Sequence, residues 1–412
     1  MIVAVKHIYG CAQVRKIITQ LNQRENEMQA FDYHNPTHIV FGPDRLAELD
    51  NLVPQDARVM VLYGGGSVKK YGTLDKVLAG LGERHITEFS GIEPNPRFET
   101  LMRAVDRVRA DNIDFLLAVG GGSVMDGTKF VAAAALYKGD EVELLGHGFN
   151  PLPIEQALPL ATVATLPATG SEMNMGAVVT HQGGKFPVMS PRLFPTFSML
   201  DPTLTYSLPA VQVANGVVDA FVHVLEQYAT YPVGAEVQDR TAEGILKALI
   251  EVGPKTLATP DDYAARANLV WSATCALNGF IGVGVPQDWS THMIGHELTA
   301  IFGIDHAQTL AVVLPSLWQA RKAQKGAKLL QYAERVWNIT EGSEDARIDL
   351  AISKTRAFFE SLGVKTRLSD YGVAFEQIDT VVNALESHGM VALSETGDLD
   401  LEVSRYILEQ AF

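Results

Sequence analysis

Three of the chain's 11 histidines, His292, His296 and His306, fall within a 15-residue span, and a fourth, His223, follows Asp219 by four positions. Residues 213–228 (VANGVVDAFVHVLEQY) carry helical periodicity, so Asp219 and His223 project from one face, and His292 and His296 share that spacing. Taken singly, each histidine reads as a hydrogen-bonded core residue, and Asp219 with His223 as a helix ion pair. Together, one carboxylate and two or three imidazoles form a donor set suited to zinc or ferrous iron, with one coordination position left open. An open position serves catalysis, and these donor types do not choose between the two metals.

Two glycine turns supply a different chemistry. Residues 115–119 (FLLAV) read as a buried strand running into Gly120-Gly121-Gly122-Ser123-Val124-Met125-Asp126. Strand, turn and helix start in succession present free amide N–H groups and the positive helix end to a phosphate, and glycine permits close approach. A pyrophosphate fits that turn; the plain alternative is a tight βα turn with no ligand. A second strand, Arg58–Tyr63, leads into Gly64-Gly65-Gly66-Ser67-Val68-Lys69-Lys70. NAD sites often place an acid after such a strand to hold the ribose 2′-hydroxyl, and none follows here. Backbone amides, a hydroxyl and two ammonium groups suit a 2′-phosphate instead, so NADP(H) is the expected dinucleotide. The alternative is that Lys69 and Lys70 are solvated surface residues.

These groups need a scaffold. At 412 residues the chain exceeds what one core supports, and 47% apolar against 20% charged residues is an ordinary globular balance. From about His38 to Pro209, β-branched runs alternate with helical patterns, the signature of a parallel sheet, with a third strand over residues 161–166 ending at Pro167. After Asp201-Pro202 helical periodicity takes over. The expected architecture is α/β plus all-α: a Rossmann-like parallel-sheet dinucleotide domain over 29–208, then a helical metal-binding domain over 209–412. Residues 1–28 read as a disordered or non-native extension, with Met28 a candidate start; they lack a signal peptide's apolar stretch. A net charge of −15 opposes binding to nucleic acid or anionic membranes, and no apolar run reaches the roughly 20 residues of a membrane span. Cys11 and Cys275 form no disulfide framework and suit a reducing cytoplasm.

With these motifs in order, the chain from about Phe31 to Phe412 resembles the iron-containing, group III alcohol dehydrogenases, in their NADPH-dependent aldehyde reductase and butanol dehydrogenase branch. The resemblance is carried by Phe41-Gly42-Pro43, Gly91-Ile92-Glu93-Pro94-Asn95-Pro96, Gly120 to Asp126, Thr165 to Glu172, the Asp219/His223 pair, and His292, His296 and His306. It implies a dehydroquinate synthase-like architecture, a homodimer or larger assembly, and one divalent metal, zinc or iron, on Asp219, His223, His292 and His306. It places His296 beside nicotinamide and substrate, Gly121, Gly122 and Ser123 on the pyrophosphate, and Thr165, Thr169 and Ser171 around the cofactor. Where NAD-preferring members carry aspartate, this chain reads Gly64-Gly65.

The activity expected is reduction of a short-chain aldehyde by NADPH, the metal stabilising developing alkoxide charge and His296 relaying the proton. A dehydroquinate synthase-like lyase is the nearest rival, but its multiply charged substrate needs several lysines and arginines, and residues 281–306 contain none. A non-catalytic NADP- or metal-binding sensor would have no use for His296.

Overall fold

The computed structural model describes residues 27–146 and 152–412; most of the predicted extension, residues 1–26, lies outside them. Strands β1 (His38–Phe41), β2 (Arg58–Tyr63), β3 (His85–Phe89), β4 (Phe115–Gly120), β5 (Leu160–Ala164) and β8 (Phe197–Leu200) form one parallel sheet in the order β1-β8-β5-β4-β2-β3. All residues of β4, β5 and β8 are buried, as expected of strands covered on both faces. Alternate side chains feed two cores. Met60, Leu62, Leu116 and Ala118 join one face, and Val59, Val61, Leu117 and Val119 the other.

The third predicted strand is shorter than expected. It stops at Ala164 because its ladder partner β4 ends at Gly120, the last paired position, and residues 165–170 form the turn. Sequence reading also missed an antiparallel hairpin, β6 (Gly176–His181) with β7 (Gly184–Met189), inserted between β5 and β8.

Beyond Leu200 the described residues form helices and no further sheet strands. Helix Ala210–Tyr228 is the centre of this half, buried at nearly every residue from Val213 to Tyr228. It packs among helices Glu236–Ala258, Tyr263–Ala276 and His306–Ala320, over a core that includes Phe221, Leu310, Trp318 and Phe359. Its apolar residues surround the helix rather than lining one stripe, which is the pattern of a helix enclosed on all sides. No helix among the described residues is long and apolar enough to cross a membrane.

The two halves meet where this helix passes the turn after β5. A Cβ at Gly216 would lie 2.2 Å from the Pro167 carbonyl oxygen, so only glycine permits this approach. Gly216→Ala is therefore expected to destabilise the protein by about 1–3 kcal/mol. Gly244→Ala, with nothing within 4 Å of the added carbon, should stabilise it by up to about 1 kcal/mol through helix propensity. Urea unfolding of the two variants beside wild type checks both signs; equal effects would contradict the close approach.

Candidate active site

Two helices and the start of a third aim the predicted metal donors at one another. Asp219 and His223 lie one turn apart on helix Ala210–Tyr228, with His223 Nε2 3.8 Å from Asp219 Oδ1. His292 opens the helix Ser290–Phe302, which ends on Gly303 in the left-handed conformation (φ 69). That reversal brings His306, first residue of helix His306–Ala320, back to the same point, with Nε2 3.6 Å from Asp219 Oδ1. One ligand atom from each of Asp219, His292 and His306 lies within 4.8 Å of the other two. His223 stands outside that trio but stacks on His292, with ring centroids 4.7 Å apart. His296, one turn beyond His292, has its ring 5.1 Å from that of His306 and lines the opening between the two halves with Lys185, Phe186, Met293, Glu297 and His388.

The donor set fits a divalent cation. Asp219 Oδ1 and His292 Nε2 are buried without a hydrogen-bond partner, a costly state for polar atoms unless something binds them, and His223 and His306 turn their Nε2 atoms toward the same Asp219 oxygen. Burial pushes the imidazoles toward the neutral, ligating form: His292 falls to about 4, and His296 and His306 drop well below the usual range, with Lys185 adding to the effect. His223 is also lowered by burial, against the opposing pull of Asp219. Desolvation thus favours the neutral form of the His296 ring, with Lys185 and the neighbouring imidazoles acting in the same direction.

The helix start bearing His292 is tied down from behind. Asp288 Oδ1 accepts the Ser290 N–H at 2.9 Å. Asp288 Oδ2 and Glu395 both meet the buried Lys325 ammonium, each at 2.9 Å.

On the sheet side, the glycine turn lies between β4 and helix Gly122–Ala134, as the sequence predicts. Thr165 N–H donates to the Gly120 carbonyl at 3.0 Å. A Cβ at Gly121 would lie 3.1 Å from Leu166, and one at Gly122 2.6 Å from Thr169, so the two turns are pressed together. Gly64 joins the same edge, its Cα facing the Ile92 carbonyl and Val124. Gly120, Ser123, Thr165, Thr169 and Ser171 are thus neighbours of the turns they were read with, whereas Asp126 turns away. Its Oδ1 accepts from Ser171 Oγ at 2.7 Å and its Oδ2 from Val178 N at 3.0 Å, joining the helix to the hairpin.

Three residues around the glycine turns escaped the sequence reading. Lys129 is wholly buried, donating to Ser171 Oγ, Asn174 Oδ1 and the Gly176 carbonyl at 2.7–2.9 Å; a lone lysine in the run GTKFVAAA was the available signal. Lys185 on β7 donates to Asn95 Oδ1 at 2.9 Å, and Asn95 N–H donates to Ser123 Oγ at 3.3 Å. Burial pushes the Lys185 ammonium down to about 8. The third overturns an expectation. An acid does stand beside the Gly64–Lys70 turn: Glu88 on β3 pairs with Lys69 at 3.2 Å and accepts from Tyr63 Oη at 2.7 Å. It comes from a neighbouring strand, where a search along β2 does not reach it. Gly65, Ser67, Lys69 and Lys70 are exposed, Gly66 takes φ 107, and Lys70 makes no ion pair among the described residues.

Residues 36–202 match the family model described as iron-containing alcohol dehydrogenase, and residues 213–394 match that of the Fe-containing alcohol dehydrogenase family, C-terminal. The NADPH-dependent aldehyde reductase YqhD of Escherichia coli (strain K12) is 58% identical over 388 residues, 93% of this chain and 100% of that protein. A probable NADH-dependent butanol dehydrogenase 1 of Bacillus subtilis (strain 168) is 40% identical, over 88% of this chain and 95% of its own. Among solved structures, Escherichia coli K-12 YqhD superposes with a TM-score of 0.92 at 57% identity, covering 94% of this chain and 100% of that one. The NADH-dependent butanol dehydrogenase A of Thermotoga maritima gives 0.88 at 35% identity, covering 94% and 99%.

The buried lysine between the turns has a testable signature. Burial lowers Lys129 to about 8 despite nearby Asp126 and Glu172, against about 10.4 in an unfolded chain. Between those values the unfolded chain holds the proton and the folded one releases it, so this group makes stability rise with pH, by up to about 1.4 kcal/mol per unit. Below the folded value both states are protonated and the slope vanishes. Unfolding free energies of wild type and Lys129→Met, compared at mildly alkaline pH and again about two units higher, should diverge in favour of wild type. A constant difference would contradict the buried ammonium.

Proposed function

Because this chain belongs to the iron-containing alcohol dehydrogenase family, we propose that it is a metal-dependent oxidoreductase that reduces small aldehydes to alcohols with NADPH. The observation that carries this reading is the convergence of Asp219, His223, His292 and His306 on one point, with Asp219 Oδ1 and His292 Nε2 buried and partnerless and the His296 ring beside that of His306. In this reading residues 29–208 hold the dinucleotide and residues 209–412 the metal. The enzyme works in the cytoplasm, consistent with its two cysteines and acidic charge, and its assembly as a homodimer is what the family resemblance implies. A dehydroquinate synthase-like lyase finds no support in the family relatives.

Each residue has a defined task. Asp219, His223, His292 and His306 hold the divalent cation, which when bound supplies Lewis-acid polarisation of the carbonyl. The backbone amides of Gly121, Gly122 and Ser123 receive the pyrophosphate at the start of helix Gly122–Ala134. Gly64 to Ser67, with Lys70 and the Glu88-paired Lys69, take the 2′-phosphate; the name of the 58% identical relative supports this choice. His296 carries a proton between its ring nitrogens and the new hydroxyl, kept neutral by burial. Lys185 adds positive charge on the side where negative charge develops. Consumption of NADPH with a panel of straight-chain aldehydes tests the proposal directly; aldehyde loss without NADPH oxidation would overturn it.

Four variants refine it. Asp219→Asn and His292→Ala should lose most bound metal and nearly all turnover, while His296→Ala keeps the metal and loses about 10²–10⁴-fold in kcat. Elemental analysis beside steady-state rates separates these; metal loss in His296→Ala would make it a ligand. Gly65 has room for a side chain, with nothing within 4 Å of an added Cβ. Gly65→Asp should therefore lower the NADPH-to-NADH ratio of kcat/KM by about 10–100-fold, by like-charge contact with the 2′-phosphate. An unchanged ratio would remove this turn from cofactor selection.

A further inference from the structure

The structure assigns to Glu226 the positioning of His292: its carboxylate fixes which ring nitrogen faces the metal and so governs how tightly the centre holds its cation. This rests on the reading of Asp219, His223, His292 and His306 as ligands. Glu226 lies three residues beyond His223 on helix Ala210–Tyr228, so one helix face carries Asp219, His223 and Glu226 in successive turns. Its side chain is buried, and its two oxygens do different work. Oε2 contacts His292 Nδ1, and Oε1 accepts the His292 backbone N–H at 3.1 Å. Glu226 thereby holds both the ring and the main chain of a residue 66 positions away. With a cation on Nε2, the proton between Glu226 and His292 sits on Nδ1, which leaves the Nε2 lone pair free. Nε2 is the atom found buried and without a partner, facing Asp219 and His306. A carboxylate on the far nitrogen also makes the imidazole a stronger donor, and losing such a partner typically weakens metal affinity by about 10–100-fold.

Glu226→Gln is nearly isosteric but sets an amide NH2 against one of two N–H groups that both need acceptors. Competition with a chromophoric chelator for zinc, on the full chain, should find it bound about 10–100-fold more weakly than in wild type, with the dissociation constant for NADPH unchanged. The cycle with His292→Ala separates positioning from general destabilisation. In that background Glu226→Gln should weaken zinc no further, because the ring it orients is gone. Wild-type zinc affinity in Glu226→Gln, or an equal loss in both backgrounds, overturns the assignment while leaving the ligand reading intact. Wild-type affinity in His292→Ala overturns the ligand reading itself. Should the glutamine variant not fold, Glu226→Asp serves: its carboxylate falls one methylene short of Nδ1, and the same loss and the same absence of loss decide the matter.

Discussion

A cluster of one carboxylate and three imidazoles, gathered at one point and largely withdrawn from water, sets the terms for the rest of the molecule. Asp219 Oδ1 and His292 Nε2 are removed from water with no hydrogen-bond partner among the described residues, which costs stability until a cation binds. Such a cluster survives only where the surrounding packing fixes it. Helix Ala210–Tyr228 is therefore enclosed on all sides, pressed against the Pro167 turn at Gly216. The helix carrying His292 is held at its start by Asp288, Lys325 and Glu395. The left-handed Gly303 then folds His306 back onto the same point.

The same low-dielectric setting gives the histidines their chemistry. Burial favours the neutral form of His292, His296 and His306, the form the proposed ligand and relay roles require. Lys185 reinforces this from the hairpin and links through Asn95 to Ser123 on the glycine turn after β4. Lys129 and Asp126 join that turn's helix to the hairpin from beneath. The hairpin, absent from any reading of the sequence, thus ties the sheet half to the helical half.

Legibility in the sequence followed distance along the chain. The i, i+4 spacing of Asp219 with His223, the strands that end in Gly64 and Gly120, and the change from strands to helices after Asp201 are local patterns, and each reappears in the fold. Partners brought from elsewhere left no such trace: Glu226 reaches His292, Glu88 reaches Lys69, and Lys185 reaches Asn95 across 90 positions. The hydrogen bonds that Asp126 accepts from Ser171 and Val178 are likewise long-range, and its place in a glycine motif gives no sign of them. The protonation of His296 depends on burial, which residue type alone does not give.

The central claim is a mononuclear centre of three imidazoles and one carboxylate, in which His223 is the member that stands farthest from the others. X-ray absorption fine structure at the metal edge of the purified enzyme measures that shell directly. The account predicts only nitrogen and oxygen scatterers at about 2.0–2.2 Å, with the multiple-scattering pattern of three imidazoles, reduced to two in His223→Ala. Sulfur in the shell, or an imidazole count that does not change when His223 is removed, would contradict it.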